Sequence, residues 1–553
     1  MEAKQQRLLD TQFAKFLSTH SQLSGEENLM FKELVCKLSV TVAAGDSCLP
    51  VKPEEENLLQ RSGLCGEGVQ PLCVFDGHLY LQRLFQYERR LAENIRKMAV
   101  EATELVSDVS LVESLFVTRQ EEQLDLQRFA AEQALRKNFL IIAGGPGTGK
   151  TTTVVKILTL LNSGFEKPLR VALAAPTGKA AVRLQESIAG HGQHLSARAS
   201  TIHRLLGVRR NSPYFRHNAE NPIPYDVLVV DEASMVDLAL MSKLFDALRP
   251  GSRLILLGDK NQLASVESGT VLADMMQALP ENTVELQKSY RFDEGIKCFA
   301  ESINTGDHKK AWQMLTSSQP HHITLLQEDL AIYAGAQYSR YMAAVSEATT
   351  LDEYKNLFSL FYSFKILCAL RRGKAGVAGI NKVVEESLTD KGYDCKSEEW
   401  YPGRPVMVTK NEYALDLYNG DIGICLPGPD SSGGMKIWFE CPDGTLRGIL
   451  PGRISSCETV YALTIHKSQG AEFAEVLVVL PENESTLITR ELLYTAVTRA
   501  KKYVIVKSGR SVFQRAVKER ISRFSGLGKM LNEEKELNIE HRTFNIERRI
   551  LKT

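Results

Sequence analysis

Apolar positions change rhythm along this chain. From Leu8 to Leu17 they keep helical spacing (Leu8, Leu9, Phe13, Phe16, Leu17), which predicts a helix. Around 73–90 an apolar run breaks at Asp76-Gly77 and resumes, which predicts a short hairpin feeding a helix. After residue 126, short runs rich in Ile, Val and Leu alternate with helical segments, at 138–143, 169–175, 225–230 and 252–257. Strands that are apolar throughout are those covered by helices on both faces. The region therefore predicts a doubly wound α/β domain. A second set follows at Phe364–Ala369, Thr459–Thr464, Glu475–Leu480 and Tyr503–Lys507. Inside it, 400–455 is rich in Gly, Pro and short β-like runs and reads as a small β-barrel-like insertion. The expected fold class is α/β, with two such domains, this insertion and a mainly helical N-terminal domain. The expected boundaries are 1–115, 116–290 (with a short hairpin at 207–224) and 291–553.

Composition narrows the classes. The 553 residues are 43% hydrophobic and 24% charged, which is globular and not disordered. No apolar run approaches the ~18 residues of a membrane helix. The start MEAKQQRLLD has no apolar signal core, so the expectation is a cytoplasmic chain with no membrane contact. Ten scattered cysteines without a C-x-x-C pair read as reduced thiols. The 67 Lys+Arg balance 67 Asp+Glu, which argues against a nonspecific nucleic-acid coat and leaves room for a local basic channel. The balance is uneven along the chain. Between Glu101 and Asp125 seven acidic residues face one basic, and between Arg490 and Arg523 ten basic residues face two acidic. The acidic stretch reads as a solvated helix and linker, or as a partner-facing surface.

Chemistry enters after Ala143. Gly144-Gly145-Pro146-Gly147-Thr148-Gly149-Lys150-Thr151 fits G-x-x-x-x-G-K-[ST] between an apolar strand and a helix that continues through Thr152. Such glycines let backbone N–H groups turn toward phosphates, and the helix N-terminus favours anions. Lys150 is expected on the β/γ-phosphates of ATP and the Thr151 hydroxyl on Mg²⁺. The strand Val227–Val230 delivers Asp231 and Glu232, expected to hold Mg²⁺ and to activate the attacking water. Gln262, after the strand Arg253–Leu257, is the candidate γ-phosphate sensor. Gln127, 17 residues before Gly144, is placed to read the adenine edge. Arg291 and Arg499 are candidate arginine fingers.

In order, QRFAAEQAL (127–135), GGPGTGKTTT (144–153), LAAPTGKAAVRL (173–184), ASTIHRLLG (199–207), VLVVDEAS (227–234), LLGDKNQLASV (256–266), LQKSYRF (286–292), YALTIHKSQGAEF (461–473) and LLYTAVTRAKK (492–502) resemble the motifs of superfamily 1 helicases. The resemblance extends to the RecD family, the alpha subunits of exodeoxyribonuclease V. ALRRGKAGVAGIN (369–381) and GRPVMVTKNEYALDLYNGDIGI (403–424) look like family-specific segments, and GDSCLP (45–50) and DGHLYLQRLFQYERR (76–90) are similar to its N-terminal domain. The resemblance implies two RecA-like domains with ATP between them and 5′→3′ movement on single-stranded DNA. It also implies a heterotrimer with RecB-like and RecC-like subunits acting on double-stranded ends, the nuclease lying in another subunit.

A motor on DNA needs hydroxyls, amides and cations for the strand's backbone. Residues of these types cluster on loops after the strands: Pro176, Thr177, Lys179, Thr201 and His203 in the first α/β unit, and Thr464, His466, Lys467 and Gln469 in the second. Helix capping is the plain reading of the repeated Thr-x-His. His191 and His194 with His203 do not read as a metal site, because their loop is Gly/Ser-rich and supplies no further ligand. Residues 207–224 are expected to form a duplex-splitting hairpin. Two other functions compete: a stand-alone RecD-like helicase, and a structural subunit with an inactive motor.

Overall fold

Neighbouring residues along each central strand turn to opposite cores. The computed structural model describes residues 7–66, 68–100, 109–116, 125–164, 167–189, 199–209, 212–265, 267–288, 293–317, 322–395, 398–428, 434–441 and 444–532. Arg291, His191 and His194 lie outside these residues, as do most of the acidic stretch 101–125 and the tail beyond 532.

The N-terminal part packs helix Leu8–His20 on helix Gly25–Ala43, followed by three short antiparallel strands, β1 (Cys48–Pro50), β2 (Leu72–Phe75) and β3 (His78–Leu81), in the order β1-β3-β2. The expected hairpin is there. Asp76 and Gly77 form its two-residue loop, both at positive φ (47° and 69°), the twist that matches paired strands. Helix Gln82–Val100 leaves β3 directly and lies against helix Leu238–Asp246.

The first of the two expected motor domains has six parallel strands: β4 (Phe139–Gly144), β5 (Val171–Ala175), β6 (Ala199–Thr201), β7 (Val227–Val230), β8 (Arg253–Gly258) and β9 (Thr283–Leu286), in the order β6-β5-β7-β8-β4-β9. Phe139 and Ile141 face a core shared with Leu84, Leu91 and Ile95 of the N-terminal part. Leu140 and Ile142 face the helices on the other side. The order brings the C-terminal ends of β4, β8 and β7 side by side, the edge at which doubly wound sheets bind ligands.

The second motor domain is also parallel. Its strands are β10 (Ile323–Leu325) and β11 (Phe364–Cys368), then, after the insertion strands β12 (Pro405–Val408), β13 (Ile422–Pro427), β14 (Met435–Glu440), β15 (Leu446–Ile449) and β16 (Cys457–Thr459), β17 (Ala462–Thr464), β18 (Phe473–Val479) and β19 (Ala500–Lys507). The motor strands run β10-β19-β18-β11-β17. The insertion is an antiparallel sheet, β15-β14-β13-β12-β16, around its own small core of Val406, Val408, Ile437 and Phe439. Its outer strands β15 and β16 share no ladder among the described residues. The run expected at Thr459–Thr464 divides: Thr459 closes β16 and Ala462 opens β17.

Three expectations about boundaries change. Helix Val109–Leu115 packs on helix Lys150–Ser163 and places Val112 and Phe116 in the first motor core, so it belongs with that domain and not with 1–115. The segment 523–532, expected to end the second motor domain, returns to the N-terminal part. Phe524 N–H donates to Asp46 (2.8 Å), Ser47 N–H to the Phe524 carbonyl (3.0 Å), and Leu527, Met530 and Leu531 enter the shared core. Residues 207–224 carry two isolated antiparallel bridges, Val208–Phe215 and Asn218–Asn221, and, among the described residues, no regular strands. They lie on the first domain, where the Lys243 ammonium holds the Pro213 carbonyl at 3.0 Å.

Candidate nucleotide site and nucleic-acid track

The loop after β4 is shaped by glycines. Gly144, Gly147 and Gly149 have φ of 157°, 79° and 83°. A Cβ on Gly144 would stand 2.8 Å from the Leu286 carbonyl, so side chains are excluded there. Lys150 opens the helix and folds its ammonium back onto the carbonyls of Gly144 (2.6 Å) and Gly145 (3.0 Å). Gln127 donates to the Thr148 carbonyl at 3.2 Å, which places the adenine-reading candidate beside the loop.

Asp231 follows β7. Burial raises its carboxyl above the usual range, and Glu232 adds repulsion while Lys150 opposes. Glu232 adopts a left-handed conformation (φ 52°, ψ 40°), which costs a non-glycine residue ~1–2 kcal/mol. Its N–H donates to Asp231 Oδ1 at 2.8 Å. This strained turn lets adjacent residues both line the cleft, and strain of this kind concentrates at functional sites.

Gln262, after β8, is buried. Its amide nitrogen donates to Asp259 at 3.2 Å, and its Oε1 has no hydrogen-bond partner. Asp259 also accepts from the Tyr494 hydroxyl at 3.1 Å. Tyr494 belongs to helix Arg490–Val497 of the second domain, as does Thr495, whose Oγ accepts from Leu263 N–H at 2.8 Å. Arg499, just beyond that helix, is buried and donates to the carbonyls of Thr495 (3.1 Å) and Ala471 (3.3 Å). Burial lowers its pKa, while Glu232 and Asp259 favour its charge.

A cleft of about 530 Å³ collects these groups. Gln127, Pro146, Gly147, Gly149, Lys150, Thr151, Thr152, Asp231, Glu232 and Gln262 line it from the first domain, and Arg499 from the second. Arg183, Gly470 and Glu472 line it too, none of them singled out from the sequence. Arg183 and Glu472 sit inside quoted motifs, and their opposite charges in segments expected on opposite domains were the available signal.

The candidate DNA residues divide. Thr201 ends β6 and Thr464 ends β17, the outermost strand of each sheet. Both hydroxyls cap local turns, accepting from Arg204 N–H (3.2 Å) and Lys467 N–H (3.3 Å), and Thr177 accepts likewise from Ala180 N–H (3.2 Å). The capping reading of the two Thr-x-His segments is met at Thr201 and Thr464, and Thr177 caps a turn in the same way. Pro176 precedes this last turn, half-buried. His203 packs edge-on to Phe215, and burial lowers the pKa of both His203 and His466. Lys467 is exposed and pairs with Glu458 at 3.2 Å. Two candidates face elsewhere. The Lys179 ammonium lies 4.6 Å from the Tyr362 ring and 5.7 Å from the Phe473 ring, and burial pushes its pKa down to about 8. Gln469 is buried and donates to the Leu263 carbonyl. Both reach across to the other domain, Lys179 to Tyr362 and Phe473 and Gln469 to Leu263.

Known proteins bear on this arrangement. An AAA domain matches residues 127–268, and a UvrD-like helicase C-terminal domain matches 459–506. RecBCD enzyme subunit RecD of Mycolicibacterium smegmatis is 40% identical over 476 residues, 83% of this chain and 83% of that protein. The chain belongs to the RecD family of superfamily 1 helicases. The RecD subunit of Haemophilus influenzae is 34% identical over 84% of this chain and 82% of its own length. The RecD2 DNA helicase of Deinococcus radiodurans is 30% identical over 82% of this chain but 58% of that protein. As a RecD-family chain, the protein is an ATP-dependent DNA helicase built on two RecA-like domains. No helix among the described residues is long and apolar enough to cross a membrane, and no group of three or more His, Cys, Asp or Glu among them could hold a metal.

Proposed function

We propose that this RecD-family chain is the 5′→3′ translocating subunit of a RecBCD-type helicase–nuclease in the cytoplasm, unwinding double-stranded DNA ends for recombinational repair beside RecB-like and RecC-like subunits. One observation carries the motor part of the reading: Lys150, Asp231, Glu232 and Gln262 face Arg499 of the other RecA-like domain across one cleft. Hydrolysis in such a cleft depends on closure, and closure is movement.

The residues fit a magnesium nucleotide. The positive-φ glycines cradle phosphates, the Gln262 Oε1 is an orphaned polar atom in the cleft, and Thr151 and Asp231 offer hard oxygen donors. Thr151 and Asp231 would hold Mg²⁺, which when bound supplies charge neutralisation at the phosphates. Lys150 binds the β/γ-phosphates, with Thr148 and Thr152 flanking the loop. Glu232 orients the attacking water and takes its proton. Gln262 senses the γ-phosphate, and Gln127 reads the adenine edge. Arg499 meets the developing charge, with Arg291 as a second finger.

The DNA track is proposed along the outermost strands, through Pro176, Thr177, Thr201 and His203 on one domain and Thr464, His466 and Lys467 on the other. Support comes from the insertion: Arg204 pairs with Asp416 at 2.9 Å and stacks on the Tyr418 ring at 4.5 Å, so the insertion forms a wall beside these residues. The chain's greater share of the RecD subunits than of the RecD2 helicase favours the subunit reading over a stand-alone helicase.

Unwinding of short duplexes tests this, with the chain alone and with its partners. A 5′ tail should support unwinding, a 3′ tail should not, and Lys150→Gln should abolish it. Unwinding from the 3′ tail alone would overturn the polarity, and co-purification with neither partner would overturn the assembly.

A further inference from the structure

Arg183 lies on helix Gly178–Ala189 of the first motor domain. Its guanidinium pairs across the cleft with Glu472 and donates to the Gly470 carbonyl at 3.4 Å. Within the cleft its charge is favoured by Glu232 and Asp231 and opposed by Arg499. It therefore lines the same cleft as the acidic pair and the arginine finger, close enough to interact with all three. Gln127, which marks the base end, is beside Gly149.

The charge inventory makes Glu472 unusual. Three cations (Lys150, Arg183, Arg499) and three carboxylates (Asp231, Glu232, Glu472) line the cleft. Lys150 and Arg499 hold backbone carbonyls, whereas Arg183 pairs with Glu472, so a phosphate that engages this guanidinium must draw it from that carboxylate. Glu472 has a further cation outside the lining set: Lys501, 3.2 Å away on the same domain. It can give up Arg183 and remain paired. A guanidinium is also the group best matched to phosphate oxygens, since its forked donors engage two at once.

We propose that Arg183 is a further phosphate-contacting residue of this site, reading the γ-phosphate, and that Glu472 is the positioning residue that holds it until a nucleoside triphosphate enters. This rests on the nucleotide reading of the cleft. It adds a cation from the helix of the first domain to those expected from Lys150 and the fingers.

The test compares AMPPNP and ADP binding, both with Mg²⁺, in the full chain and its Arg183→Ala, Arg183→Lys and Glu472→Gln variants. The expected result is selective. Arg183→Ala should weaken AMPPNP about tenfold or more, the scale of one lost charged contact, with ADP within about threefold. Retained ADP binding also shows that the variant is folded. Arg183→Lys should recover part of the loss, and Glu472→Gln should keep the preference for AMPPNP. Equal weakening of both nucleotides by Arg183→Ala, or no weakening, would overturn the proposal and leave Arg183–Glu472 a structural cross-domain pair. A wild-type chain that binds neither nucleotide would overturn the cleft reading itself, and this one with it.

Discussion

Gln469 of the second motor domain donates to the carbonyl of Leu263 at 2.8 Å. Leu263 directly follows Gln262, and its own N–H is taken by Thr495 at 2.8 Å. Both backbone groups of one first-domain residue are thus held by the second domain. A shift of the Gln262 loop on meeting phosphate passes straight to the segment that carries Thr464, His466 and Lys467. Gln469→Ala leaves that carbonyl buried and unpartnered. DNA stimulation of ATPase should fall about tenfold, a coupling of ~1.4 kcal/mol, with single-strand affinity within about twofold. A stopped-flow phosphate-release assay beside fluorescence anisotropy on an oligonucleotide reads both. A variant that instead lost DNA affinity would return Gln469 to the DNA track.

Lys179 and Lys467 separate in the same way. Each phosphate neutralised on a single strand contributes about 0.7 to the slope of log affinity against log salt. Lys467 is exposed, so Lys467→Ala should lower that slope by about this amount. Lys179 is committed to Tyr362 and Phe473, so Lys179→Ala should leave it unchanged. The loss there is a cross-domain cation–π contact of ~0.5–2 kcal/mol, visible as reduced ATPase. Equal slopes for the wild type and both variants would remove Lys467 from the track.

The strap 523–532 carries its own titration. Glu88 is buried and accepts from Ser47 Oγ (2.6 Å), Ser525 Oγ (3.0 Å) and Gly526 N–H (3.1 Å). Burial, with Asp274 nearby, raises its pKa from 4.5 to about 7. The folded state therefore keeps a proton that the unfolded chain releases, so this contribution to stability falls as pH rises from about 4.5 to 7 and is level above. The shift corresponds to on the order of 3 kcal/mol. Glu88→Gln does not titrate, so the stability advantage of wild type over Glu88→Gln should shrink between pH 5 and pH 8. Urea midpoints of the two proteins at both pH values check this; an advantage that grew with pH would contradict it.

Much of this was legible because buried parallel strands and contiguous loops write themselves locally. The runs around 139–144, 227–230 and 254–258 are apolar throughout because helices cover both faces, and the phosphate loop is one uninterrupted segment. Strands β6, β9 and β10 left no such mark: each is a sheet edge, short and only partly buried. Long-range polar pairs were also invisible. Glu88 meets Ser525 from 437 residues away, and Arg183 meets Glu472 from 289 away. No periodicity encodes such pairs; only the fold brings them together. The loop hydroxyls of Thr177, Thr201 and Thr464 were found by type, but their capping bonds show that residue type alone did not decide their use.

The most direct measurement of the central claim is ATP hydrolysis by the purified chain with and without single-stranded DNA, beside Lys150→Gln and Glu232→Gln. DNA should stimulate hydrolysis at least tenfold, and both substitutions should reduce it by about two orders of magnitude or more. Hydrolysis indifferent to DNA, or unaffected by either substitution, would contradict it.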